Sequence, residues 1–175
     1  MSETISVLIP EEKVEARIAE LAAQISKEYE GRTLELICVL KGSLFFTCEL
    51  AKRVTIPVTI DCMSVSSYEN GTVSLGRVKI VKDLDENILN KDVLIVEDII
   101  DSGRTMRYLM DMLAARGPKS LKLCTLLDKP DRRVVEVNPD YCGFEIPDKF
   151  VVGYGMDYAQ KYRNLPYIGV VDLGQ

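Results

Sequence analysis

VLIVEDIIDSGRT, Val93 to Thr105, runs from four apolar residues into two adjacent acids, two further apolar residues, a third acid and a small polar turn. An uninterrupted apolar run of this length reads as a strand buried on both faces, as in parallel sheets. Ser102-Gly103-Arg104-Thr105 then opens a helix predicted to reach about Arg116, where Gly117-Pro118 stops it before a strand from Leu121 to Leu127. Working towards the N-terminus, Val58 to Ser67 reads as a strand. The polar stretch after it, SYENGTVSLGRVKIVKDLD, contains Asn70-Gly71 and alternates weakly, which predicts a mobile hairpin or flap. Leu34 to Leu40 (LELICVL) predicts another buried strand, followed by Lys41-Gly42 and a helix from about Leu44 to Val54. Pro10 and two glutamates open a first helix whose stripe Val14, Ile18, Leu21 and Ile25 ends near Gly31. Two more strands are predicted near Phe150 to Tyr154 and Tyr167 to Val171. Apolar strands alternating with helices imply an α/β fold around a mainly parallel sheet, whose ligands bind at the carboxyl ends of the strands.

Bulk properties narrow the function. The 175 residues, 47% hydrophobic, suffice for one substantial core and not for two ordinary domains. No stretch approaches the roughly 18 apolar residues of a membrane helix, and MSETISVLIPEEK has neither basic head nor apolar core of a secretion signal. A soluble, cytoplasmic protein is expected. Cys38, Cys48, Cys62, Cys124 and Cys142 lie far apart in apolar runs without CxxC spacing, so they are expected to be small core residues. A net charge of -5 argues against nucleic-acid binding. The absence of histidine leaves proton transfer to a carboxylate, Lys, Tyr or Cys.

The chemistry is concentrated where the opening stretch turns into helix. A helix N-terminus offers unpaired N–H groups and the positive end of its dipole, Ser102 and Thr105 add hydroxyls, and Gly103 permits close backbone approach. Such a turn can cradle a phosphate. Carboxylates beside a phosphate repel it unless they hold ribose hydroxyls, a divalent cation or a substrate proton, so Glu97, Asp98 and Asp101 point to a sugar phosphate with Mg²⁺. Residue types alone leave a plainer reading open: Asp101 as a helix cap, and Glu97-Asp98 as charge at a strand end.

This segment resembles the 5-phosphoribosyl 1-diphosphate signature of type I phosphoribosyltransferases, placed as required between strand and helix. The similarity extends from about Leu36 to Val171 and is closest to the hypoxanthine-guanine branch in its short microbial form. The resemblance implies that fold over residues 1–175 as a single domain, with a flap at approximately 66–85 and a base-binding hood at approximately 128–175. LKGS, Leu40 to Ser43, resembles the diphosphate loop, in which Lys41 and the Gly42 backbone hold the leaving group and a non-proline cis peptide is expected. SSY, Ser66 to Tyr68, resembles the start of a closing flap, bringing in Ser67 and Tyr68. Glu97, Asp98 and the turn Asp101, Ser102, Gly103, Arg104 and Thr105 would hold ribose and 5-phosphate, with Asp101 as general base.

For the base, DKP at Asp128 to Pro130 places Lys129 where the family donates to a purine 6-oxo group, which disfavours adenine. FEIPDKFVVGYGMDY, Phe144 to Tyr158, implies that Phe150 stacks on the ring, that the Val151 backbone reads its edge, and that the Asp157 carbonyl meets a guanine 2-amino group. Glu97, Asp98 and Asp157 are the implied metal residues. YRNLP, Tyr162 to Pro166, puts Arg163 at a diphosphate position. Arg104 departs from the lysine of many relatives, and Gly155 and Met156 fall at variable positions. The implied reaction is Mg²⁺-dependent salvage of hypoxanthine or guanine to IMP or GMP, by an enzyme that self-associates as a dimer or tetramer. Two readings compete: a sister enzyme preferring xanthine, and an RNA-binding regulator that keeps the fold but should show a basic face. GxGxxG follows no strand, which disfavours a dinucleotide fold.

Overall fold

A computed structural model describes residues 3–68 and 77–172. In chain order their elements are β1 (Thr4–Ile9), α1 (Glu11–Glu28), β2 (Leu34–Leu40), α2 (Leu44–Arg53), β3 (Val58–Tyr68), β4 (Arg77–Lys82), β5 (Asp92–Ile100), α3 (Arg104–Ala114), β6 (Ser120–Asp128), a 3₁₀ turn (Pro130–Arg132), β7 (Tyr141–Glu145), β8 (Val151–Val152) and β9 (Ile168–Asp172). Six strands form a sheet of order β4-β3-β2-β5-β6-β7, parallel throughout except for β4. A second, antiparallel sheet has the order β1-β9-β8, so it takes in β1 from the start of the chain, while β7 belongs to the larger sheet.

The apolar runs of β2, β5 and β6 are continuous because both faces of the larger sheet are covered. Leu34, Leu36, Leu94, Val96 and Leu126 face one way, meeting Val14, Ile18, Leu21 and Ile25 of α1 and Phe46 and Leu50 of α2. Ile37, Val39, Val93, Ile95 and Leu123 face the other way, against Met106, Leu109 and Leu113 of α3. Each such side chain, fully buried, contributes about 1.5–3 kcal/mol relative to exposure. The helices therefore occupy the faces, and the carboxyl ends of β5 and β6 meet the segment that carries Phe150, Val151 and Asp157.

Three expectations are corrected by the fold. The strand read as Val93 to Val96 extends to Ile100, so Glu97 and Asp98 lie within β5 rather than beyond it. The strand expected from Phe150 to Tyr154 shrinks to Val151–Val152, because Gly153 (φ +92°) and Tyr154 (φ +51°) turn out of extended geometry. Cys48 is exposed on α2, and Cys62 and Cys142 are half-buried, leaving only Cys38 and Cys124 as core residues. β1 and β7 were not anticipated. The expected flap is described only at its base, where Ser66 pairs with Lys79, Ser67 with Val78 and Tyr68 with Arg77. Residues 69–76 lie outside the described residues, as do the side chains of Ser67 and Tyr68. Among the described residues no helix is long and apolar enough to cross a membrane.

Candidate active site

β5 delivers its acids to the open edge of the sheet at different depths. Glu97 is buried, and its Oε1 accepts from the Asp98 N–H at 3.0 Å. Burial, reinforced by the neighbouring Asp98 charge, pushes the Glu97 carboxyl well above its ordinary range. Asp98 is half-buried and accepts from the Ile99 N–H at 2.7 Å. Asp101, past the end of the strand, is exposed.

The turn into α3 depends on glycine. Gly103 has φ +84°, and a β-carbon there would lie 3.0 Å from both the Val135 carbonyl and Arg133 Cδ. The same loop anchors the turn, since the Ser102 carbonyl accepts from the Val134 and Val135 N–H groups and Arg133 Nη1 donates to the Asp101 carbonyl at 2.8 Å. Ser102 Oγ accepts weakly from the Arg104 N–H at 3.4 Å, and no side chain caps α3. Its first-turn amides are available to an anion. A cavity of about 170 Å³ lies here, walled by Glu97, Asp98, Asp101, Ser102, Gly103 and Thr105. Arg104 is exposed and does not line it.

A second cavity of about 200 Å³ is lined by Lys129, Phe150, Val151 and Asp157 together with Asp98 and Asp101. The two cavities share Asp98, Ile99 and Asp101. Lys129 is only 6% exposed, with its N–H donating to the Ile100 carbonyl and its ammonium 3.8 Å from Asp148. Phe150 is 54% exposed, held edge-on by Tyr158 with ring centroids 5.7 Å apart. A buried ammonium and an exposed ring reverse what Lys129 and Phe150 would do as ordinary surface and core residues. Arg132, unremarkable in the sequence, spans the rim, its guanidinium 3.4 Å from Asp101 and 3.5 Å from Asp148.

The remaining wall is made by two loops in close contact. The Leu40–Lys41 peptide is cis, as anticipated, and Ser43 Oγ ties the loop back by donating to the Val39 carbonyl at 2.7 Å. A β-carbon on Gly42 would lie 1.9 Å from Asp98 Oδ2, and one on Gly155 would lie 1.9 Å from the Gly42 carbonyl. Gly155, read from the sequence as a variable position, is thus a contact point that the pattern did not reveal. Arg163 Nη1 donates to the Gly155 carbonyl at 2.7 Å, and Nη2 lies 3.0 Å from Asp157. Lys41, Gly42, Asp98, Asp157 and Arg163 are therefore brought to one region. Among the described residues no three acids or cysteines form a cage for a metal ion.

A model of the phosphoribosyl transferase domain matches residues 8–159. The hypoxanthine phosphoribosyltransferase of Salmonella typhimurium is 53% identical over 175 residues, covering 99% of this chain and 98% of its own. That of Escherichia coli K12 is likewise 53% identical over 175 residues, with the same coverage. The crystal structure of a hypoxanthine-guanine phosphoribosyltransferase from Bacillus anthracis, with a HEPES molecule in its active site, superposes with a TM-score of 0.92 at 51% identity, covering 95% of this chain and 98% of that one.

Proposed function

The chain belongs to the phosphoribosyl transferase domain family, and from that premise we propose that it is a hypoxanthine phosphoribosyltransferase of purine salvage, joining hypoxanthine or guanine to 5-phosphoribosyl 1-diphosphate to give IMP or GMP. The observation that carries this reading is the shared wall: an anion cradle and an aromatic, lysine-bearing cavity meet at Asp98 and Asp101. A donor in one and a purine in the other would face each other across that wall.

In this reading the turn from Asp101 to Thr105 holds the 5-phosphate through backbone and hydroxyl groups, with Arg104 contributing only its backbone and charge. Glu97 and Asp98 accept from the ribose hydroxyls. Lys41, the Gly42 backbone and Arg163 hold the diphosphate and stabilise the charge that builds on it as the bond to the anomeric carbon breaks. N9 of the purine forms the new bond to that carbon while Asp101 takes the proton from N7. Lys129 donates to the 6-oxo group, Phe150 stacks on the ring, and the backbone carbonyls of Val151 and Asp157 read the edge. Ser67 and Tyr68 begin a flap that excludes water from the reacting carbon.

The donor set fits magnesium. Glu97, Asp98 and Asp157 would offer hard oxygen donors without a closed cage, as suits Mg²⁺, which is usually held by one or two carboxylates with water and substrate. When bound, Mg²⁺ would neutralise diphosphate charge. The same reading takes residues 1–175 as one domain, with the hood at about 128–175, and expects a cytoplasmic enzyme that self-associates as a dimer or tetramer. Initial rates of nucleotide formation from hypoxanthine, guanine and xanthine, with and without Mg²⁺, test it. Turnover of the first two only with Mg²⁺ is expected, and failure with all three would refute the reading.

A further inference from the structure

The segment between β8 and β9 holds four non-glycine residues at positive φ, Tyr154 (+51°), Ala159 (+50°), Gln160 (+67°) and Tyr162 (+74°). Left-handed backbone is uncommon outside glycine and persists where the surroundings impose it, often at functional sites. Here it aims one side chain. Gln160 Oε1 lies 3.2 Å from Arg163 Nη2 and 3.5 Å from Lys41 Nζ, so it stands between cations from two separate loops. Its backbone N–H donates to Asp157 Oδ2 at 2.8 Å, which fixes the residue in place. Lysine and arginine only donate, so the atom facing both must be the amide oxygen. An amide nitrogen there would oppose donors with a donor.

We propose that Gln160 is a positioning residue for the donor's diphosphate. Its neutral carbonyl oxygen gathers Lys41 and Arg163 at the place a diphosphate oxygen takes on binding. This rests on the assignment of those two cations to the diphosphate. Arg163 is already paired with Asp157 and the Gly155 carbonyl, so what Gln160 adds is an acceptor that draws the Lys41 ammonium towards it against their like charge. A carboxylate in the same place would gather them more tightly, but would compete with the diphosphate and repel it. Neutrality is the useful property: Gln160 organises the cations and yields to a charged ligand, since charge-assisted hydrogen bonds to diphosphate are stronger than those to an amide.

The test compares Gln160→Glu, Gln160→Ala and Gln160→Met with wild type. Titration calorimetry measures the affinity for magnesium diphosphate, and initial rates give KM for the donor and for hypoxanthine. All three variants retain a β-carbon, so the backbone at φ +67° is equally disfavoured in each. Gln160→Glu is expected to weaken diphosphate binding and raise the donor KM by roughly tenfold or more. Gln160→Ala and Gln160→Met, which lack the acceptor, should raise the donor KM by about three- to tenfold, since each loses hydrogen bonds to charged groups. The hypoxanthine KM should stay within about twofold of wild type, a split that general loosening of the hood would not produce. Lys41→Ala and Arg163→Ala serve as reference arms. If they weaken diphosphate binding while every Gln160 variant binds it as wild type does, the positioning role is wrong and the assignment of the cations stands. If the reference arms bind diphosphate normally, the assignment itself fails and the inference falls with it.

Discussion

Asp101 reaches both cavities, and its carboxylate faces Arg132 at 3.4 Å. An amide of the same shape cannot accept the N7 proton, so Asp101→Asn should lower kcat by roughly 10² to 10⁴ with modest change in donor affinity. Initial rates at saturating donor measure it, and near-normal turnover would remove Asp101 from the proton transfer. Lys129 differs in what it should affect, because its buried side chain lines the cavity assigned to the purine and not the anion cradle. Lys129→Ala should raise KM for hypoxanthine and guanine by about 10- to 100-fold, the scale of a lost hydrogen bond to a charged group. Equal losses for base and donor would contradict the pocket assignment. Asp101 could be singled out from residue type and motif, Lys129 and Phe150 only through the resemblance, since alone they read as a surface charge and a core ring. Arg132 and Gln160 could not, since a charge or an amide in a polar loop carries no pattern, and their contacts depend on how separate loops approach.

At the scale of elements, the legible parts were those whose burial is uniform. α1 shows its stripe and β2, β5 and β6 their apolar runs, because each packs against covered faces. β1 and β7 escaped notice for different reasons. β1 is a half-exposed edge strand with one buried residue, Ile9, at its end. β7 carries a central glycine, ordinarily a weak strand former, because a β-carbon on Gly143 would sit 2.3 Å from the Leu126 carbonyl of β6. The cis peptide was expected through resemblance and not from physical pattern. The contact of the two loops at Gly42 and Gly155 makes a sharper demand. Gly155→Ala would place a methyl 1.9 Å from the Gly42 carbonyl at φ +99°, combining a left-handed penalty with overpacking. The sum is about 2–5 kcal/mol, or a fall in Tm of roughly 4–20 °C. The donor KM should rise as well, because Gly42 is displaced. A calorimetric scan with parallel kinetics checks both, and an unchanged Tm would show that the loops adjust freely.

Over the whole molecule, strand order was beyond reach of local pattern. The pairing of β1 with β9 joins residues near opposite ends of the chain, and only tertiary contact selects it. β9 also pairs with β8, Val151 opposite Val170, and Val151 lines the same cavity as Asp98 and Asp101 at the end of β5. The site is thus assembled between two sheets, and ligands that bridge them should couple to global stability. Magnesium separates two possibilities. A metal held in a protein cage stabilises the fold by itself, whereas one that arrives with substrate phosphates stabilises only when they are present. Among the described residues there is no such cage, so Mg²⁺ or a chelator alone should move Tm by less than about 1 °C, within the small effect of weak ion binding. Donor and Mg²⁺ together, at a hundred times their dissociation constant, should add about 2.7 kcal/mol by mass action. For a chain of this size that is roughly 5–11 °C. Donor with chelator should give much less, because the diphosphate charge then faces only Lys41 and Arg163. A large rise with Mg²⁺ alone would mean that the carboxylates form a metal site before any substrate binds, and the role given to Glu97, Asp98 and Asp157 would have to change from meeting a substrate-borne cation to holding a resident one.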